Sequence, residues 1–366
     1  MNNFARRKIT RFAVFSSIIL ATALFSASAS AWERDWQSQR TWVFIVGTLK
    51  WQHSEMFEAF PQQNRHDAQL AEFFRRQGVP PEQMVYLQDE QATTRRVRNE
   101  FSEMLARTKE GDFLFVYFTG HGYKSDDERQ TFFATYDASD KAPGWSTESI
   151  VNDINQSFRG SRILLAADCC YSGSLLKEAR RLNDGVSYAC LTSSLANQLS
   201  TEHWTFTESL LAGLRGRAYE DTNGDGEITL GEIADNTRED MAFAEEQRSS
   251  FATRGNFSRD TILATAAPRS SAELGKRVEV RSEGDWYKAL ITDARAGQFR
   301  VHYYGFEVSD DEWVLPGQIR NSKIVAGASG EIIWDRQTEP NGAQEPAGER
   351  NRRRNAWISA PSTWSH

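Results

Sequence analysis

Two short apolar runs end abruptly in polar loops, and this feature limits the possible folds most. The first run, residues 112–119, is followed by Gly120-His121-Gly122, and the second, residues 161–167, by Asp168-Cys-Cys-Tyr-Ser-Gly173. Apolar runs of this length bounded by glycine are typical of buried strands. The sequence therefore predicts two strands that present an imidazole and a thiol at their carboxyl ends.

Strands and helices alternate around these two runs. The segments with strand patterns are residues 41–47, 84–87, 112–119, 162–167, 186–191 and 261–265. The segments with helical periodicity are residues 63–77, 94–108, 146–157, 207–214 and 230–247. This alternation predicts an α/β fold with a mostly parallel sheet flanked by helices, which residues 261–265 would complete. In such sheets ligands bind beyond the carboxyl ends of the strands, where His121 and Cys170 fall.

The carboxyl-terminal quarter has a different pattern. Residues 273–320 contain short strands of alternating polarity separated by glycine and acidic turns, which indicates a small all-β, SH3-like barrel. Residues 321–366 are polar, contain proline and glycine, and end in an arginine cluster, so a disordered tail is expected. The α/β domain would then occupy residues 32–268.

The amino terminus has the pattern of a signal peptide over residues 1–31. A basic segment precedes an apolar run, and Ala29-Ser30-Ala31 fits a cleavage site, with residues 27–29 as the alternative site. Cleavage would give an exported protein, periplasmic or secreted, with no stable membrane span, whereas an uncleaved segment would be an anchor. Removing four positive charges moves the net charge from −7 to −11, which disfavours nucleic acid as a partner.

The three cysteines are too few for a disulfide scaffold. A thiolate next to a histidine is the arrangement that nucleophilic catalysis requires, because the imidazole removes the thiol proton and later protonates the leaving group. We therefore expect a cysteine hydrolase in which a thiol of the second loop meets His121. Cys169 and Cys190 are expected to be packed side chains, although a bridge between them is an open alternative.

The two loop segments resemble the signature segments of the caspase-like peptidases, especially the metacaspases and their bacterial relatives. Asp168-Cys-Cys-Tyr-Ser-Gly173 follows the pattern Asp-x-Cys-x-Ser-Gly, which assigns the nucleophile to Cys170. It departs from the common metacaspase form at Cys169, in place of serine, and at Tyr171, in place of histidine. The resemblance extends over about residues 41–267.

This resemblance implies roles for further residues. His121 would be the base, and the backbone N–H groups of Gly122 and Cys170 would form the oxyanion hole. Asp168 and Asp67 would line a pocket for a basic side chain, so that proteins or peptides are cleaved after Arg or Lys. No cofactor is required for this chemistry.

Three alternatives remain open. Asp67 would otherwise be a solvated helix acid. A legumain-like or gingipain-like peptidase would prefer Asn or Lys, and a catalytically inactive scaffold would use the same fold for binding alone.

One loop matches the calcium-binding template of helix–loop–helix proteins. Its ligand positions are Asp221, Asn223, Asp225, Glu227 and Glu232, with Gly226 at the sixth position. The pattern makes Ca²⁺ a candidate ligand. The alternative is a glycine-rich turn followed by a helix with an acidic first turn.

The barrel is rich in aromatic residues. It resembles Tudor and chromo-type barrels, whose aromatic cages hold methylated cations by cation–π attraction. The candidate cage residues are Trp286, Tyr287, Tyr303, Tyr304, Phe306 and Trp313. We favour the simpler interpretation that most of these rings form the barrel's own core. The barrel is expected either to bind a partner protein or to dock on the catalytic domain.

Overall fold

The structure is a computed structural model that describes residues 37–320 and the backbone of two further strands, Lys323–Ala326 and Ile332–Asp335. Those two strands pair with each other in an antiparallel ribbon. The predicted signal peptide and the rest of the predicted tail lie outside the described residues. Within the described part of the chain, no helix is both long enough and apolar enough to span a membrane.

The α/β domain alternates strands and helices as the sequence predicts. Its strands are β1 (Thr41–Gly47), β2 (Met84–Gln88), β3 (Phe113–Thr119), β4 (Gly122–Lys124), β5 (Thr131–Phe133), β6 (Trp145–Ser146), β7 (Arg162–Asp168), β8 (Ser187–Thr192), β9 (Glu227–Thr229), β10 (Ser250–Arg254) and β11 (Ile262–Thr265). Its helices are α1 (His66–Arg76), α2 (Thr94–Arg107), α3 (Thr147–Ser157), α4 (Gly173–Ala179), α5 (Thr205–Leu214) and α6 (Leu230–Glu245).

The central sheet has the strand order β10-β8-β7-β3-β1-β2. All neighbours in it are parallel except β10, which pairs antiparallel with β8 at one edge. The expectation that residues 261–265 complete this sheet was wrong, because β11 pairs with β9 in a separate two-stranded ribbon. The edge position is instead taken by β10, a strand that the apolar pattern does not reveal because all five of its residues are half-buried.

Helices cover both faces of the sheet, which explains why β1 and β3 are apolar along almost their whole length and fully buried. On one face the sheet packs against α2, α3 and α4, and on the other against α1, α5 and α6. Helix α2 is an example of a helix that covers the sheet with one apolar side. Its buried stripe consists of Val97, Phe101, Met104 and Leu105. The sheet is therefore a rigid support for the loops at its carboxyl edge.

A small antiparallel sheet of β4, β5 and β6 extends the loop that contains His121. The sequence predicts only a polar loop here, because these strands contain two or three residues each. Trp145 of β6 is fully buried and packs against Phe44 and Phe101, so the small sheet is anchored to the main core.

The barrel is a curled antiparallel sheet with the strand order β15-β14-β13-β12-β16. Its strands are β12 (Arg277–Ser282), β13 (Asp285–Arg295), β14 (Gln298–Tyr303), β15 (Glu312–Val314) and β16 (Ile319–Arg320). It docks on helix α6, where Asp240 accepts hydrogen bonds from Arg277 Nε at 2.8 Å and Tyr304 Oη at 2.6 Å. Of the two roles expected for the barrel, docking on the α/β domain is thus observed.

Candidate active site

The ends of β3 and β7 lie side by side. Thr119 is the parallel partner of Asp168, so His121 and Cys170 each lie two residues beyond a paired position at the same edge of the sheet. The register thus brings together the two loops that the sequence analysis selected.

Glycine is required at position 122 because the two loops touch there. A Cβ atom on Gly122 would lie 2.0 Å from the carbonyl oxygen of Cys170 and 3.1 Å from Cys169 Sγ. Ala134 N–H donates to the His121 carbonyl at 2.9 Å, which makes Gly122 and Phe133 a non-hydrogen-bonded pair of the β4–β5 ladder. The Gly122 N–H group therefore points away from β5 and is available to a ligand.

The imidazole of His121 is fixed by a backbone carbonyl. Its Nε2 atom lies 2.8 Å from the carbonyl oxygen of Glu58. Because a carbonyl only accepts hydrogen bonds, Nε2 carries the proton in the neutral ring and Nδ1 is left as the basic nitrogen.

Aromatic rings surround this imidazole. Trp51, Phe57 and Phe60 have ring centroids 4.5, 5.6 and 4.4 Å from that of His121. The resulting burial lowers the pKa of His121, and the hydrogen bond to Glu58 only partly offsets this. His121 is therefore neutral at physiological pH.

The thiol of Cys170 is half-buried and accepts a hydrogen bond from Ser200 N–H, at 3.2 Å. Burial raises the pKa of Cys170, and the Ser200 amide opposes this shift. The shifts of both pKa values favour a protonated thiol and a neutral imidazole over a thiolate and an imidazolium.

The backbone of the loop that contains Cys170 is held in an unusual conformation. Tyr171 has a φ of 57°, in the left-handed region that non-glycine residues rarely adopt. The amides of Cys169, Tyr171 and Ser172 donate to Ser193 Oγ, the Gln198 carbonyl and Ser194 Oγ. Within residues 37–320, the Cys170 amide has no hydrogen-bond partner on another residue, so it is available at this site together with the Gly122 amide.

Asp168 lies at the end of β7, two residues before the thiol. Its side chain accepts a hydrogen bond from Thr207 Oγ1 at 2.6 Å, and the residue is 7% exposed. Burial raises the pKa of Asp168 to about 6, although hydrogen bonds from Thr207 and Ser193 lower it. A cationic side chain next to this carboxylate would remove much of the cost of its charge.

Asp67 is fully buried at the start of α1 and is already paired. Arg65 donates to its two carboxylate oxygens at 3.1 and 2.8 Å, and Tyr86 Oη donates at 2.9 Å. Asp67 lies against Gly47, because a Cβ atom on Gly47 would be 1.7 Å from Asp67 Oδ2. In the register Gly47 is two strands away from Asp168, which corresponds to about 10 Å between their Cα atoms. The alternative of a solvated helix acid is wrong, while the role of Asp67 in a substrate pocket stays a prediction.

The predicted calcium loop connects the end of α5 to α6. Asp221 accepts hydrogen bonds from the amides of Gly224 and Gly226, and Glu232 accepts from Thr222 and, as the capping box of α6, from Thr229. Among the described residues, no three His, Cys, Asp or Glu side chains are grouped closely enough to hold a metal ion. Here the carboxylates stabilise the loop and the helix start, and calcium binding stays a prediction from the sequence pattern.

The strand register argues against a Cys169–Cys190 disulfide. Cys190 is the parallel partner of Leu165, four residues before Cys169, which corresponds to a separation of about 13 Å along the strands. Disulfide-bonded residues have Cα atoms less than about 7 Å apart. All three cysteines are free.

Most of the barrel aromatics have partners within the chain. Tyr303 is buried, Tyr304 packs on Phe243 of α6, and arginines lie over the rings of Trp286 and Trp313. Tyr287 and Phe306 contact Tyr303 edge to face. Of the six rings, only Tyr303 is buried in the barrel core, with Tyr287 packed against it, while Trp286 and Phe306 are exposed. The interpretation that most of these rings form the barrel's own core was therefore wrong.

Sequence reasoning missed the Glu58 carbonyl, the aromatic rings around His121 and the Ser200 amide. A weak signal exists for the rings, because Trp51, Phe57 and Phe60 lie in a segment that fits neither a helix nor a strand. No residue type can predict the contacts of Glu58 and Ser200, because both are made by backbone atoms.

The comparisons with known proteins agree with the resemblance seen in the sequence. Residues 70–179 match the family model described as metacaspase, peptidase C14 domain, and this range includes His121, Asp168 and Cys170 but not Asp67. Metacaspase-7 from Arabidopsis thaliana is 29% identical over 94 residues, which cover 25% of this chain and 23% of that protein. This chain thus spans about a quarter of the length of that relative.

A comparison with solved structures also gives a match. The crystal structure of protein GSU0716 from Geobacter sulfurreducens is similar with a TM-score of 0.42 and 13% sequence identity, over 62% of this chain and 100% of that chain.

Proposed function

We propose that this protein is a cysteine endopeptidase with Cys170 as nucleophile and His121 as base, since residues 70–179 match the metacaspase, peptidase C14 domain model. The observation that carries this proposal is the β3–β7 register, which places both residues two positions beyond a pair at one sheet edge. The Glu58 carbonyl supports it, because it directs the basic Nδ1 of His121 away from Glu58.

The proposed reaction begins from the neutral pair. His121 Nδ1 takes the thiol proton as Cys170 Sγ attacks the scissile carbonyl, and the Gly122 and Cys170 amides stabilise the resulting oxyanion. The imidazolium then protonates the leaving amine, which leaves an acyl-enzyme thioester. Water, deprotonated by the same imidazole, attacks the thioester and restores the thiol.

The proposed substrate has Arg or Lys before the scissile bond. Asp168 supports this preference, because its buried carboxylate has hydroxyl partners but no Arg or Lys partner among the described residues. Asp67 would contribute less, since Arg65 already neutralises it. An Asn preference would fit a protonated Asp168, which could donate a hydrogen bond to an amide.

The test uses the purified protein and a panel of reporter peptides with Arg, Lys, Asn or Asp before the cleaved bond. Cleavage after Arg and Lys is expected, and Cys170→Ala and His121→Ala should each abolish it. Cys190→Ala is the matched control, because that thiol is fully buried in β8. Retained activity in Cys170→Ala would sink the assignment.

A thiol probe separates a peptidase from an inactive scaffold. Faster labelling of Cys170 in the wild type than in His121→Ala supports the enzyme, and equal labelling in the two proteins supports the scaffold.

Two further properties are proposed from the sequence. We propose export, because residues 1–31 have the pattern of a signal peptide, and amino-terminal sequencing of the secreted or periplasmic protein tests this. We also propose Ca²⁺ as a ligand of residues 221–232. Calorimetric titration with CaCl₂ tests the second proposal, with Asp221→Ala as the variant that should lose binding.

A further inference from the structure

The loop between β8 and α5 brings a backbone amide to the candidate nucleophile. Ser200 N–H donates to Cys170 Sγ at 3.2 Å, and the sulfur in turn lies 3.8 Å from the Ser200 carbonyl oxygen. An N–H group directed at sulfur stabilises the thiolate more than the thiol. The position of this loop therefore affects the reactivity of Cys170.

One of the side chains that hold this loop follows α6. Gln247 Oε1 accepts from Thr201 N–H at 3.0 Å, and its Nε2 donates to Ser200 Oγ at 3.0 Å and to the Ser193 carbonyl at 2.5 Å. Both ends of the amide are thus occupied, and the residue is 8% exposed. From these contacts we propose that Gln247 is a positioning residue that holds the Ser200 amide on the nucleophile.

The contacts of Gln247 join the two sides of the nucleophile. Ser193 Oγ accepts from Cys169 N–H at 3.1 Å, and it lies 3.0 Å from Ser200 Oγ. Gln247 therefore connects the loop whose Ser200 amide donates to the Cys170 sulfur with Ser193, which binds the backbone amide of Cys169.

The inference rests on the proposed function, because Cys170 is a nucleophile only in that proposal. Its test, however, does not require turnover of a substrate. The pH dependence of Cys170 alkylation by iodoacetamide, followed by mass mapping of the modified peptide, reports the fraction of thiolate. Gln247→Met keeps most of the volume and loses every hydrogen bond. We expect its alkylation midpoint to rise by about one pH unit and the rate at pH 7 to fall about tenfold.

The matched control is Gln83→Met. Gln83 is 9% exposed and donates to the Thr41 carbonyl at 3.2 Å, at the opposite end of β1 from the site. It should lose a comparable buried hydrogen bond without moving the alkylation midpoint. A purely structural role of Gln247 would likewise lower the melting temperature and leave the midpoint in place.

An unchanged midpoint in folded Gln247→Met overturns the proposal. If that variant does not fold, Gln247→Asn decides, because it keeps the amide but shortens its reach by one methylene group. A higher midpoint in Gln247→Asn supports the proposal, and an unchanged one overturns it. If the wild type cleaves no reporter peptide, the proposed function fails while the alkylation result still stands. If the wild type cleaves a reporter, kcat should fall in Gln247→Met with KM nearly unchanged.

Discussion

Replacing Gly122 by alanine tests the close contact between the two candidate catalytic loops. The added methyl group would lie 2.0 Å from the Cys170 carbonyl oxygen, whereas such contacts are essentially never shorter than 3.0 Å, so the loops must separate by about 1 Å. A displacement of this size at reacting groups costs about 100-fold in rate. The strain should lower the free energy of unfolding by only about 1–3 kcal/mol, because the core is unchanged.

The assay compares kcat/KM on an Arg reporter with urea unfolding of the same protein. Gly185→Ala is the control, because a Cβ there has no atom within 4 Å and the residue does not have a positive φ. We expect a loss of at least about 100-fold in kcat/KM for Gly122→Ala and none for Gly185→Ala. If Gly122→Ala is folded and stays within about tenfold of the wild type, the loops do not form one catalytic centre as argued.

Three other perturbations follow from buried charges. Because the pKa of Asp168 is about 6, KM for an Arg reporter should rise as the pH falls through 6, and Asp168→Asn should abolish both this dependence and the Arg preference. Arg65→Met leaves two buried carboxylates without their cation, so urea unfolding should show a loss of about 3–5 kcal/mol, and a loss below about 1 kcal/mol would contradict this. Burial lowers the pKa of His302, but hydrogen bonds to two carboxylates outweigh it and raise the pKa to about 10. Since its unfolded value is about 6.5, this stabilisation is complete below pH 6.5 and is lost as the pH rises through 10; His302→Gln should flatten that part of the stability curve.

The sequence predicts the parts of the fold that depend on apolar patterns. Strands β3 and β7 are continuous apolar runs because helices cover both faces of the sheet, and α2 shows a clear buried stripe. Since parallel strands end at the same edge, the nearness of His121 and Cys170 could also be predicted. This argument also requires the two strands to be neighbours in the sheet, which their register shows.

The sequence does not predict features that depend on a choice between partners. Residues 250–254 and 262–265 are both short strand candidates, and only the tertiary structure decides which of them pairs with β8. The same holds for Asp67, whose carboxylate could pair with a substrate cation or, as in the structure, with Arg65 two residues earlier. Long-range pairing of this kind leaves no periodic trace in a single sequence.

Helix α6 connects the barrel to the candidate active site. Its middle binds the barrel through Asp240, and near its end Lys288 of β13 donates to the Ala244 carbonyl at 3.1 Å and lies 3.3 Å from Glu246 Oε1. Gln247 follows directly, so the residue that positions the Ser200 amide lies between the barrel and the thiol. The contacts of the barrel therefore support the end of α6 from which Gln247 extends, next to the candidate active site.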